Sequence, residues 1–200
     1  MKIGAIVLAA GASSRLGQAK QLLIYRGITL VRRSAQAALE AGCAPVIAVL
    51  GFERERIATE LRDLPVTMVA NENWECGIGS SLRAGMGAAA TGCDAVVILT
   101  CDQPHVSAAV VRRLIDAHEK TTRPIVASAY AETRGVPALF ARTCFPALQS
   151  LPDDRGAKSL IATAREAEIA LIDFPEGAID IDTPQDLRAP IDVSLGETRE

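Results

Sequence analysis

Four stretches of this 200-residue chain combine charged, hydroxyl and glycine residues at spacings that could do chemistry. Gly11-Ala12-Ser13-Ser14-Arg15-Leu16-Gly17-Gln18-Ala19-Lys20 gathers small residues, main-chain N–H groups and two cations in one loop, which suits an anion. Without a ligand the same loop reads as a surface turn with solvated Arg15 and Lys20. It is neither a G-x-G-x-x-G fingerprint nor a Walker A loop, whose second glycine is followed directly by Lys and Ser or Thr. Cys101-Asp102-Gln103-Pro104 offers a carboxylate suited to Mg²⁺, which takes one or two carboxylates plus phosphate oxygens and water; an Asp-x-Pro turn is the alternative. Asn71 to Leu82 is a polar, glycine-bearing segment, readable as a binding loop or as a capped turn with Ser80 or Ser81 at the N-cap. Near the end, Asp180-Ile181-Asp182-Thr183-Pro184 sets two carboxylates on either side of an isoleucine. Asp182 serves there as a metal ligand or as a capping group before Pro184. His105, alone beside the Asp102 loop, reads as structural.

Such loops need rigid elements behind them. Ile3 to Ala10 is a continuous apolar run closed by Gly11, the pattern of a strand buried on both faces, which is preferred here over a signal-peptide reading. Pro45 to Leu50, Val66 to Ala70 and Ala95 to Thr100 repeat that pattern. Helical spacing marks Thr29 to Ala41, Glu53 to Leu61, Ser80 to Ala90 and a helix from about Ser107 carrying Val110, Val111, Leu114, Ile115 and His118. Later come strands near Ile125 to Ala129, Val136 to Phe140, Ile169 to Ile172 and Ala178 to Ile181, with a helix around Ala157 to Arg165. If Ala178 to Ile181 is a strand, Asp180 and Asp182 point to one side of it. Thr183 and Pro184 open a short helix through Leu187, and a frayed tail follows Pro190. Strands alternating with helices predict a three-layer α/β domain with ligands at the carboxyl ends of its strands.

Composition agrees. Apolar residues are 49%, charged residues 22% and aromatics only 4%, so the core is aliphatic and disorder is excluded. A net charge of −3 argues against nucleic acid as the main partner. No apolar run reaches the roughly 18 residues of a membrane-spanning helix. Five cysteines without C-x-x-C or Cys/His ligand spacing predict reduced thiols in the cytoplasm and no zinc site.

Taken as a string, Leu8-Ala9-Ala10-Gly11-x-Ser13-x-Arg15-x-Gly17-x-x-Lys20 resembles the signature of the MobA/MocA-like nucleotidyltransferases, a branch of the nucleotide-diphospho-sugar transferase fold. The likeness extends over nearly the whole chain. It implies a Rossmann-like α/β/α fold with a mostly parallel mixed sheet, one nucleotidyltransferase domain over residues 1–189 and a tail over 190–200. It further implies that the loop, Ser13 included, wraps an NTP triphosphate, with Arg15 and Lys20 on the phosphates and Ala9, Ala10 and Gly11 beside the base. Asn71, Gly77 and Ser81 carry over as base and ribose contacts. Cys101-Asp102-Gln103-Pro104 resembles the family's C-D-Q-P or G-D-M-P metal motif, which makes Asp102 a Mg²⁺ ligand. Asp180-Ile181-Asp182-Thr183-Pro184-Gln185-Asp186 resembles the closing motif of cytidylyl members, with Asp182 favoured over Asp180 to complete the metal shell.

Gly135 to Phe140 and Asp153 to Lys158 resemble acceptor-side regions, where Arg155 and Lys158 meet an acceptor phosphate or stay solvated. Val136 stands where members known for molybdenum cofactor work often carry His. The implied activity moves CMP from CTP to the phosphate of a molybdopterin-type acceptor, with Arg15, Lys20 and Asp102 catalytic and a molybdoenzyme or its chaperone as receiving partner. Alternatives are a sugar phosphate or isoprenoid-precursor phosphate as acceptor, a non-catalytic cofactor-binding accessory protein, and a dinucleotide-dependent oxidoreductase. The enzymatic reading requires Lys20 and Asp102 to share one pocket.

Overall fold

The structure, a computed structural model, describes residues 1–183, 185–186 and 193–194. In chain order the strands are β1 (Ile3–Ala9), β2 (Ile24–Tyr25), β3 (Ile28–Thr29), β4 (Val46–Leu50), β5 (Val66–Ala70), β6 (Ala95–Thr100), β7 (Ile125–Tyr130), β8 (Thr133–Ala141), β9 (Ile169–Asp173) and β10 (Val193–Ser194). The helices are α1 (Leu30–Glu40), α2 (Arg54–Thr59), α3 (Ile78–Ala89), α4 (Ala108–Thr121), α5 (Phe145–Gln149) and α6 (Ala157–Thr163).

β1 is apolar along its length because both its faces are covered. Ala5, Val7 and Ala9 join Val31, Ala35, Val111 and Leu114 of α1 and α4 in one core, while Ile6 joins Leu82 and Met86 of α3, Phe145 of α5 and Ile161 of α6 in the other. Seven strands form the sheet between these layers, in the order β5-β4-β1-β6-β8-β7-β9. β1 runs parallel to β4, with Ala9 opposite Leu50, and parallel to β6, with Leu8 opposite Thr100. Only β8 is reversed against its neighbours β6 and β7, so β1, β4, β6, β7 and β9 all end at one edge. A three-layer, mostly parallel mixed sheet is therefore what the chain forms. α3 lies close on this sheet because of Gly85, where a Cβ would stand 2.6 Å from Ile6 Cγ2 and 2.9 Å from Val49 Cγ2. Among the described residues no helix is long and apolar enough to cross a membrane.

β2 and β3 form a tight hairpin through Arg26 (φ 51°) and Gly27 (φ 84°), the two left-handed positions of a type I′ turn. Of the tail expected beyond Pro190 only Val193–Ser194 is described, paired antiparallel with β2.

The later segments bring corrections. Ala178 to Ile181 is not a strand: Pro175–Ala178 is a 3₁₀ turn, and the chain then crosses the end of β6 with a bond from Ile181 N to Asp102 O at 2.9 Å. Ile181 leaves the sheet altogether and fills a third apolar cluster with Leu16, Leu23, Tyr25 and Leu30. Strand alternation thus has no say in where Asp180 and Asp182 point. The helix expected over Ala157 to Arg165 stops at Thr163, and α5 is an addition. The helix expected through Leu187 lies partly outside the described residues. Within them the Asp186 carboxylate accepts from Asp182 N at 3.0 Å, Thr183 N at 2.7 Å and the Thr183 hydroxyl at 2.9 Å.

Candidate active site

Main-chain geometry turns the loop after β1 into a surface of donors. Ala10 O accepts from Phe52 N at 3.0 Å, and the Gln21 carboxamide Nε2 donates to Ala9 O at 3.0 Å and to Gly11 O at 2.8 Å. Ser13 adopts a left-handed conformation (φ 52°); its carbonyl accepts from Leu16 N and Gly17 N, and its hydroxyl accepts from Lys20 N at 3.3 Å. Among the described residues the N–H groups of Gly11 to Arg15 donate to no protein acceptor. A run of open N–H groups followed by two cations suits an anion. Arg15 is exposed on this loop, and Lys20 is half-buried at its end.

Lys20 and Asp102 meet directly. Lys20 Nζ lies 2.8 Å from Asp102 Oδ2 and 2.7 Å from Asp182 Oδ1, joining the loop after β1, the end of β6 and the crossing segment at one point. Burial opposes the ammonium charge, but the Asp102 and Asp182 carboxylates outweigh it and raise the Lys20 pKa. Asp180 keeps solvent contact, yet its carboxyl is pushed up to about 6, first by desolvation and then by the charges of Asp102 and Asp182. Among the described residues no three His, Cys, Asp or Glu side chains form a ready-made metal shell. The donor set still fits a hard cation: two carboxylate oxygens already face one positive centre, and that centre is now the lysine ammonium.

The second loop is placed at the same edge by β5, which ends at Ala70. Asn71 Nδ2 donates to the hydroxyls of Ser80 and Ser81 at 2.9 and 3.0 Å, so the buried Asn71 and Ser81 side chains brace the start of α3. Gly77 (φ 128°) and Gly79 pass so close to residues 152–155 that a Cβ at either would collide with main-chain oxygens there, and Gly79 N donates to Asp153 O at 2.8 Å. This brings the Asp153 to Lys158 segment beside the Asn71 to Ser81 segment. Arg155 and Lys158 are both exposed. Lys158, unlike Arg155, lines a cavity of about 630 Å³ at the ends of β7 and β9, with Tyr130, Arg134, Leu171 and Asp173. His105 packs edge-on against Tyr25, with ring centroids 5.7 Å apart, and burial lowers its pKa, in keeping with a structural role.

Two glutamines escaped the reading of the sequence. Each follows a charged site residue: Gln21 after Lys20, and Gln103 after Asp102, whose Nε2 donates to Gly177 O at 2.9 Å ahead of the Asp180–Asp182 segment. Both side chains are buried, and among the described residues the Oε1 atom of each has no partner.

The chain is similar to one known family and to three known proteins. The family model of the MobA-like NTP transferase domain matches residues 5–169. The nicotine blue oxidoreductase of Paenarthrobacter nicotinovorans is 37% identical over 164 residues, covering 76% of this chain and 78% of that protein. The purine catabolism protein PucB of Bacillus subtilis (strain 168) is 28% identical over 191 residues, covering 90% and 92% of the two chains. The crystal structure of Rv0371c from Mycobacterium tuberculosis H37Rv in complex with manganese superposes with a TM-score of 0.79 at 30% identity, covering 96% of this chain and 98% of that one.

Proposed function

The chain belongs to the MobA-like NTP transferase family, and from that footing we propose that its first loop, Asp102 and Asp182 form one site for an NTP and a divalent metal, used to transfer CMP from CTP to a phosphorylated acceptor. The enzyme is a nucleotidyltransferase. The observation that carries the site assignment is the direct contact of Lys20 with both Asp102 and Asp182 beneath a loop of open N–H donors. In the reaction an acceptor phosphate oxygen bonds to the α-phosphorus of the nucleotide, the α–β bridge bond breaks, and pyrophosphate leaves. Arg15, Lys20 and the N–H groups near Ser13 hold the β- and γ-phosphates and offset the charge that collects on the leaving group. Ala9, Ala10 and Gly11 border the base, while Asn71, Gly77 and Ser81 belong to the segment on its base and ribose side. Asp102 and Asp182 would hold the metal, Mg²⁺ by preference, which supplies charge neutralisation at phosphate oxygens. The manganese bound to Rv0371c supports a divalent ion in this fold. An acceptor phosphate monoester, with a second pKa of about 6, is already ionised at neutral pH and needs no dedicated base.

The acceptor belongs on the side of residues 153–158, which Gly77 and Gly79 let approach the Asn71 to Ser81 segment closely; the cavity that Lys158 lines has no residue of the first loop, Asp102 or Asp182 in its wall. We assign a molybdopterin-type acceptor and, as the receiving protein, a molybdoenzyme or its chaperone, on the likeness of the closing motif. The test is a thermal-shift panel of CTP, GTP, ATP and UTP with Mg²⁺ or Mn²⁺, followed by pyrophosphate release with candidate acceptors. A nucleotide at a hundred times its Kd adds about 2.7 kcal/mol, or roughly 5–10 °C for a chain of this size. CTP should give the largest shift, and no shift with any NTP would remove the proposal. One observation favours a second reading: the Paenarthrobacter relative carries an oxidoreductase name. Nicotinamide oxidation by the purified protein, with no pyrophosphate release under any NTP, would select it.

A further inference from the structure

Gln21 has no part in the proposed reaction, yet its side chain is buried and doubly hydrogen-bonded. Only 2% of it is exposed, and both hydrogens of its carboxamide are used, on Ala9 O and on Gly11 O. Its own oxygen has no partner among the described residues. Turning the amide over would set that oxygen against two carbonyl oxygens, so the contacts themselves assign which atom is nitrogen. Burying an amide oxygen unpaired is costly, whereas an apolar residue of the same shape would fill the space without that cost. The two donated bonds are what the position requires a glutamine for.

Their effect follows from the planarity of the peptide. In a trans peptide the C=O and the following N–H point in opposite directions, so a carbonyl anchored inward sends its N–H outward. Ala10 O is anchored by Phe52 N, and Gly11 O by Gln21. The N–H groups of Gly11 and Ala12 are therefore presented as donors at the head of the open run that continues to Arg15. Gly11 is the weak point of this arrangement. Glycine accepts a wide range of ψ, so on the Gly11 side what opposes turning the Gly11–Ala12 peptide over is the Gln21 bond to Gly11 O, while on the far side it is the positive φ that Ala12 would have to take. A turned peptide would aim a carbonyl at the phosphates.

We infer that Gln21 is a positioning residue that sets the polarity of the phosphate loop, holding the Gly11–Ala12 peptide with its N–H toward the ligand. The inference rests on the assignment of this loop to polyphosphate. Calorimetric titration of the full chain with inorganic tripolyphosphate in the presence of Mn²⁺, and with a nucleoside monophosphate, tests it in wild type, Gln21→Met and Gln21→Glu. Both variants should bind tripolyphosphate at least about tenfold more weakly, the loss expected for one charge-assisted hydrogen bond. Monophosphate affinity should move by less than about threefold, because that ligand reports on the site away from the loop's far phosphates. Equal tripolyphosphate affinity in wild type and variants overturns the inference, as does an equal loss for both ligands, which would mark a merely structural role. If wild type binds neither tripolyphosphate nor any NTP, the phosphate-loop assignment itself falls and takes this inference with it. Should the variants fail to fold, hydrogen exchange in wild type decides: the Gln21 side-chain amide protons should exchange slowly with and without tripolyphosphate, and exchange at the free-amide rate in either state overturns the inference.

Discussion

Replacing Lys20 by Met should separate two properties that are usually lost together, metal binding and turnover. In the wild type a metal arriving without nucleotide must displace an ammonium that already sits 2.8 Å from Asp102 and 2.7 Å from Asp182. The Asp102 contact is the better shielded, with side chains 18% and 22% exposed, and as a charge-assisted hydrogen bond is worth about 1.5–3 kcal/mol. Asp182 is 44% exposed, which discounts its contact to about 0.2–1 kcal/mol. Even the lower ends sum to nearly 2 kcal/mol, so nucleotide-free Lys20→Met should bind Mn²⁺ roughly twentyfold more tightly than wild type. Repulsion between the freed carboxylates adds to this in the same direction. Turnover should nevertheless fall at least about a hundredfold, because Lys20 is the proposed stabiliser of the leaving pyrophosphate. Paramagnetic resonance of free Mn²⁺ during titration reads the first quantity, and pyrophosphate release with CTP reads the second. Unchanged or weaker Mn²⁺ binding would refute the idea that Lys20 occupies the cation position, and retained turnover would refute its role on the phosphates.

Three more outcomes are expected of the same site and fold. Asp102→Asn should lower turnover at least about a hundredfold while the melting temperature moves by no more than a few degrees; a fully active variant would remove Asp102 from the site. Gly85→Ala should overpack the interface of α3 with Ile6 and Val49, costing about 1–3 kcal/mol and roughly 2–12 °C in melting temperature by scanning calorimetry, and an unchanged melting temperature would show that the helix can shift aside. Cys76 is the exposed thiol, whereas burial pushes Cys43 and Cys101 up to about 12 and also raises Cys93 and Cys144. A native aromatic-disulfide assay should therefore find one fast equivalent, and Cys76→Ser should abolish it; a second fast thiol would contradict the burial of the others.

How much of this could be read beforehand depended on whether the signal was local. β1, β4 and β6 announce themselves because strands covered on both faces must be apolar throughout, and the glycines and polar residues that follow them then fall at the ligand edge. The segment from Ile179 to Asp182 misled for a physical reason: isoleucine alternating with aspartate imitates a half-buried strand, but Ile181 is claimed by the cluster with Leu16, Leu23, Tyr25 and Leu30. The hairpin at Arg26-Gly27 gave little warning, since two-residue strands have no periodicity and arginine is an uncommon left-handed residue. Gln21 and Gln103 were illegible for a different reason. Each acts on carbonyls of another segment, Ala9 and Gly11 in one case and Gly177 in the other, and a carbonyl is common to every residue type.

The bond between Lys20 and Asp182 spans 162 positions. During synthesis the donor loop and β1 leave the ribosome long before that second carboxylate exists. A nascent chain halted at Asp173 would own β1 to β9 yet lack the plug that Ile181 drives under the loop. On the proposed site, a chain without the Asp180 to Asp182 segment would lack one of the two carboxylates at Lys20 and should hold Mn²⁺ and nucleotide more weakly than the chain that carries it.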